Sequence, residues 1–313
     1  MKKNYIFVIA LILVLFGCQR RPLTEADYAV QLNITLDKEI VNHTVQKDPA
    51  LMRCIFYDSD NGAFVTQAFL PPEGGIVNLV PSRTYNVLVY NFDTESTWIK
   101  EETWYNKIYA STSLIPDSFR TKLKGRATKT DEEQIVYDPD HLFVGRLDNV
   151  FIPARSVDAE MVVLDVEAKT VVQSWRVELT KVTGAENIGS MAGVVSSLAR
   201  KSKIGLGELS TEFATVYFDN PVIDQDGLLT ARFNTFGRNP EITDPQTLSL
   251  VFIDISGKGK TYNFNVTEQM IDNKEQVIRL NAEIDIPKPM VDGSGGFVPK
   301  VDEWVEINTD INI

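Results

Sequence analysis

Apolar residues recur at every second position in run after run of this chain, the spacing of strands with one buried face. Val30, Leu32, Ile34 and Leu36 alternate with Gln31, Asn33, Thr35 and Asp37. The stretch LMRCIFYDSDNGAFVTQAFL reads as two strands joined at Asn61-Gly62, a pair that tolerates the positive φ of a tight hairpin. TYNVLVYNF is apolar on both faces and suits a central strand. Further runs follow at EFATVYF, GLLTARFNTFG, TLSLVFIDI, KTYNFNV, QVIRLNAEIDI and WVEINTDINI, with turns at Asp226-Gly227 and Ser256-Gly257. This pattern predicts an all-β chain of antiparallel sandwiches rather than an α/β sheet. No short repeat points to a solenoid or propeller.

Three segments depart from the alternation. From Thr94 to Asp138 it loosens, and the stretch reads as a variable surface excursion. Pro153 to Asp158 reads as a domain boundary, giving an N-terminal sandwich over 28–154 and a C-terminal one over 155–313. After it, MVVLDVEAKTVVQSWRVELTKV is long enough for one bent strand or two paired ones. Between Asn187 and Lys203 the apolar residues Ile188, Met191, Ala192, Val195, Leu198 and Ala199 fall at spacings of three and four, with cations toward the end. That predicts one short helix in the second domain.

The first residues carry a different message. Lys2 and Lys3 precede an apolar run ending at Phe16, which is too short to span a hydrocarbon core of about 30 Å and reads as a cleaved export signal over 1–17. The closing LFGC resembles the bacterial lipobox, with Phe16 bulkier than that motif prefers. Cys18 is then the lipidation site, 18–27 a lipidated tether, and several acyl chains on one residue give strong anchoring. The Gln19 that follows Cys18 fits sorting to the outer membrane, and surface display is open because QRRPL is basic. Only Cys54 remains, so a disulfide within the chain is excluded. Its apolar neighbours make it a small core residue. Loss of the two lysines with the signal makes the formal charge of −12 more negative still. Such a surface repels phosphate backbones and excludes nucleic acid as a partner.

Catalytic and metal constellations are missing from the sequence. His43 and His141 stand in separate loop contexts and read as polar surface or turn residues. Asp58 and Asp60 have EF-hand spacing, but Gly62 stands at the fifth position and strands flank the segment, so a turn fits better. GSMAG places its serine second rather than third, unlike a nucleophile elbow, and GKGK lacks the rest of a phosphate loop. No enzyme activity, cofactor or metal is expected. Trp98, Trp104, Tyr105 and Tyr109 are set among charges and admit two readings: possible ligand contacts that stack on sugar rings, or a cover over the end of a core.

At the other end, Val305, Ile307, Thr309, Ile311 and Ile313 alternate with Glu306, Asn308, Asp310 and Asn312, a strand-pairing pattern behind the hinge-like GSGGF. The strand either completes the second sandwich or is donated to a neighbouring subunit.

ADYAVQLNITLD, MRCIFYDSDNGAFV, NVLVYNFDTE, LTARFNTFG, LSLVFIDISGKGKTYNFNVTEQMI and GSGGFVPKVDEWVEINTDINI together resemble the fimbrillin-like lipoproteins of Bacteroidales related to FimB-type anchor and assembly subunits. The resemblance implies two tandem transthyretin-like (Greek-key) β-sandwich domains, an outer-membrane lipid anchor and fimbrial subunits as partners. Stalk subunits of such systems are trimmed at an arginine after their first strand. This chain has none between Arg21 and Arg53, which suits an untrimmed anchor or terminal subunit, whose end completes its own sheet. The competing expectation is a glycan-binding surface lipoprotein of a polysaccharide-uptake system.

Overall fold

A computed structural model of the protein describes residues 28–38, 41–44, 48–123, 127–154, 160–219, 221–289 and 305–309. Its first strands are β1 (Tyr28–Leu36), β2 (Met52–Asp58), β3 (Phe64–Leu70), β4 (Gly74–Leu79) and β5 (Arg83–Asn91). Next come β6 (Thr97–Lys100), β7 (Tyr109–Thr112), helix α1 (Asp117–Leu123), β8 (Gln134–Tyr137), β9 (Phe143–Ile152) and β10 (Val162–Thr170). The second half holds β11 (Gln173–Thr183), β12 (Ile188–Ala199), β13 (Lys201–Lys203), β14 (Glu208–Leu209), β15 (Phe213–Phe218) and β16 (Val222–Ile223). It closes with β17 (Leu229–Thr235), β18 (Thr247–Asp254), β19 (Gly259–Asn265), β20 (Val277–Asp285) and β21 (Val305–Thr309). The fold is all-β, as the alternation requires.

Seven strands form the first sheet, in the order β3-β2-β5-β9-β10-β1-β4. Alternate residues on one face make its core: Val30, Leu32 and Ile34 of β1, Met52, Cys54 and Phe56 of β2, Val87 and Val89 of β5, Val166 and Ala168 of β10. Cys54 is fully buried there, and burial pushes its thiol up to about 12, so it packs as an inert apolar residue. The β2–β3 turn is built as expected. Gly62 takes φ 74°, and Asp58 Oδ1 accepts hydrogen bonds from the Asp60 and Asn61 amides. β5 lies between β2 and β9, buried on both faces along its second half.

A sandwich of two sheets forms the second body. β16-β17-β11-β20 faces β21-β19-β18-β12-β15-β8. Trp175, Val177 and Leu179 of β11, Phe233 of β17 and Leu280 of β20 pack against Val195, Val216, Phe218, Leu250 and Phe264 of the other sheet. Burying side chains of this size contributes about 1.5–3 kcal/mol each.

The helix expected between Asn187 and Lys203 is absent: the segment is strand β12 followed by β13. Two features explain the misleading spacing. From Gly193 onward β12 is buried on both faces, which erases period-two contrast. A bulge between Val195 and Leu198 then shifts the phase, with Ser197 at φ 62°. Gly193 is required by packing rather than by a turn, since a Cβ there would lie 2.1 Å from the Phe218 ring. The α-helix among the described residues is instead α1, in the first half, whose Leu123 packs on Val194, Tyr217 and Val251 of the second body.

The two halves also exchange strands. β10, beyond the expected boundary at 154/155, pairs parallel with β1, and β8, before it, pairs parallel with β15. β10 and β11 lie in different sheets rather than pairing with each other. The segment read as a surface excursion bridges the halves: its β6–β7 hairpin pairs with β13, forming a four-stranded sheet β14-β13-β7-β6. That sheet covers Ile55, Tyr57, Leu88 and Tyr90 on the outer face of the first sheet with Tyr105, Ile108, Ala110 and Ile204.

Candidate functional site

The expected contact residues separate rather than converge. Trp98 is 56% exposed, and its Nε1 donates to Ser113 Oγ at 2.8 Å. Trp98 pairs with Ser111 and Tyr109 with Lys100, so both side chains lie on the outer face of the β6–β7 hairpin. Lys201 Nζ stands 4.9 Å from the Tyr109 ring centroid. Trp104, 41% exposed, sits at the start of β3 through a bridge to Ala63. Tyr105 turns inward: it is buried, its ring 5.4 Å from that of Tyr57, and its hydroxyl donates to Asp148 Oδ1 at 2.6 Å. Core cover describes Tyr105, while the tryptophans keep exposed ring area.

At the far end, β21 runs parallel to β19 at the edge of the six-stranded sheet, with Val305 opposite Lys260 and Ile307 opposite Tyr262. Ile311, Ile313 and the lipidation candidate Cys18 lie outside the described residues.

Two polar clusters escaped the sequence reading. The first is a seam between the halves. His141, expected at a surface or turn, is buried, with Nε2 3.1 Å from both Asn42 Oδ1 and Thr44 Oγ1. Asn42 Oδ1 only accepts, so the network assigns the proton to Nε2, leaving buried Nδ1 without a hydrogen bond. Thr44 Oγ1 lies 3.2 Å from Asn234 Oδ1, and Asn234 Nδ2 donates to the Pro139 carbonyl at 3.0 Å. Ser174 Oγ accepts from the His43 amide at 2.9 Å. Burial, opposed by the charge of Asp140, lowers the His141 pKa and keeps the ring neutral. Only solitary polar residues in separate loops signal this seam in the sequence.

Asp138 borders the seam. Burial pushes its carboxyl up to about 6, against the hydrogen bond its Oδ2 accepts from the Asn234 amide. A pKa raised on folding contributes stability in full below the unfolded value of 3.8 and loses it as pH rises toward about 6. Asp138→Asn should therefore flatten the stability profile between those limits, read as the urea midpoint against pH. An unchanged profile would show that Asp138 titrates normally.

The second cluster is a buried carboxylate. Glu133 Oε2 accepts from the Ser197 amide at 3.0 Å and from Thr215 Oγ1 at 2.9 Å. Lys129 Nζ donates to Ser197 Oγ at 2.8 Å and to Asp244 Oδ1 at 3.0 Å. A serine and a lysine at this distance resemble a nucleophile and its base, yet Ser197 has no exposed surface for a substrate to approach. The cluster instead satisfies the amide that the β12 bulge takes out of the ladder. Among the described residues no group of three or more His, Cys, Asp or Glu side chains is placed to hold a metal.

Comparison with known proteins agrees with this architecture. A curated relative, Fim4B of Bacteroides ovatus, a candidate fimbrium-anchoring subunit, is 28% identical over 337 residues, covering 96% of this chain and 95% of the relative. The crystal structure of a candidate adhesin from Bacteroides ovatus superposes with a TM-score of 0.65 at 25% identity, over 88% of this chain and 99% of that one. The fimbrial anchor protein Mfa2 of Porphyromonas gingivalis shares the fold, with a TM-score of 0.50 at 12% identity over 83% of this chain and 90% of its own. Residues 17–219 match the model of a domain of unknown function, DUF5119, which takes in every strand from β1 to β15, and the chain belongs to that family.

Proposed function

We propose that this protein is a structural subunit of a surface fimbrium, serving as its anchor or as an adhesin-like component, and not an enzyme. The end-to-end match to Fim4B carries the reading, because it spans the seven-stranded sheet, the second body and the strands exchanged between them. The finer reading is that acyl chains on Cys18 hold the protein in the outer membrane, on a tether of about ten residues leading to Tyr28. No helix among the described residues is long and apolar enough to cross a membrane.

In this reading β21 completes the protein's own second sandwich. The partner is a fimbrial subunit. A tagged protein drawn from detergent-solubilised outer membrane should bring fimbrial subunits with it, and recovery of none would contradict the proposal. Deleting Val305–Ile313 should lower the melting temperature of the isolated protein. A truncated chain that melts like the full one yet recovers no subunits would show the strand to be donated instead.

A further inference from the structure

A second surface lies beside β3, the edge strand of the first sheet, and it is independent of the lipid anchor and of fimbrial assembly. Register places Phe69 opposite Arg53, Gln67 opposite Ile55 and Phe64 opposite Tyr57, so Phe64, Gln67 and Phe69 share the outer face with Arg53. Gln67 Oε1 accepts from Arg53 Nε at 2.9 Å and from Nη2 at 2.7 Å. Glu102 closes on both terminal nitrogens of the guanidinium and also accepts from the Tyr90 hydroxyl at 3.0 Å. The guanidinium carbon stands 5.6 Å from the Phe69 ring centroid and 5.2 Å from that of Phe92. Around this fork a cleft of about 510 Å³ opens between Phe64 and the Glu101–Thr103 segment. Phe64 is 41% exposed, and Phe69 and Phe92 are each 46% exposed.

The distribution of polarity bears on the class of ligand. The core of a protein interface is depleted of Glu and Asp, although Arg and aromatic residues are enriched there, and its polar groups gather at the rim. This patch is reversed: a fixed Arg–Gln–Glu fork lies at the centre, and exposed rings stand at both ends of a strip about 17 Å long, five strand residues at the usual rise. A ligand that suits it offers hydroxyls to the middle and apolar C–H faces to the rings, which is the chemistry of a pyranose chain. Planar groups already locked by their own hydrogen bonds need little ordering to receive hydroxyls, and Gln67 Nε2 and the Thr103 hydroxyl add donors. One guanidinium against the carboxylates of Glu101 and Glu102 leaves the cleft net negative, which disfavours acidic sugars. We propose that the outer face beside β3, the cleft together with the strip that leads from it to Phe69, binds a neutral oligosaccharide, with the Arg53–Gln67–Glu102 fork as its polar centre and Phe64 and Phe69 as stacking platforms.

The test is saturation-transfer NMR on the purified full chain with maltotriose, xylotriose and mannotriose as neutral probes and trigalacturonate as the acidic one. At least one neutral probe should receive saturation, strongest on its ring C–H protons, and trigalacturonate should not compete. Phe64→Ala and Phe69→Ala, which trim exposed rings and should leave the melting temperature in place, should each weaken binding about tenfold. Absence of transfer to all three neutral probes, binding by the combined Phe64→Ala and Phe69→Ala variant equal to that of the unaltered protein, or stronger binding of trigalacturonate would each overturn the proposal. Recovery of a protein through Phe64 and Phe69, with no saccharide binding, would assign the patch to a protein partner and overturn it as well.

Discussion

Cys18→Ser is expected to leave an unacylated chain that no longer fractionates with the outer membrane. The serine hydroxyl cannot take the thioether-linked lipid proposed for Cys18, and no other apolar segment of the sequence approaches the length of a span. Each buried methylene contributes about 0.8 kcal/mol, so losing several acyl chains removes far more affinity than surface contacts of an acidic body can replace. Fractionation after a high-salt wash measures this directly. A variant that still sediments with outer membrane would place the anchor elsewhere.

Glu133→Ala is expected to have a large effect for a substitution at a polar position within the folded body. The carboxylate holds together a residue just before β8, the bulge of β12 and the centre of β15. Its loss orphans the Ser197 amide and the Thr215 hydroxyl, both without exposed surface, at roughly 1–3 kcal/mol each. Lys129 keeps Asp244, so the cation itself is not stranded. We expect a loss of about 3 kcal/mol in chemical denaturation. Glu133→Gln, which keeps one acceptor oxygen, should lose less. A change below about 0.5 kcal/mol for the alanine variant would mean that water or backbone movement satisfies the bulge.

These residues also show where reading the sequence reaches its limit. β1, the β2–β3 hairpin, β5 and the core position of Cys54 were legible because their burial contrast or turn chemistry is local. β12 was not, because burial on both faces removes the contrast and the bulge at Ser197 imitates a helical spacing. The β1–β10 and β8–β15 pairs join segments far apart in the chain, and no local pattern specifies a partner. His141 looked like a loop residue because its burial comes from Asn42, Thr44 and the second half closing over it. The Arg53 cleft was hidden for a related reason. Gln67 and Glu102 reach Arg53 only once β3 pairs with β2 and the segment after β6 folds across the sheet.

The central claim is that this chain fastens a fimbrium to the cell, and the position of the fimbriae tests it most directly. In cells whose sole copy carries Cys18→Ser, antibody against the fimbrial subunit should find assembled fibres in the cell-free medium rather than on the sedimented cells. Fibres that remain on those cells at the wild-type level would contradict it.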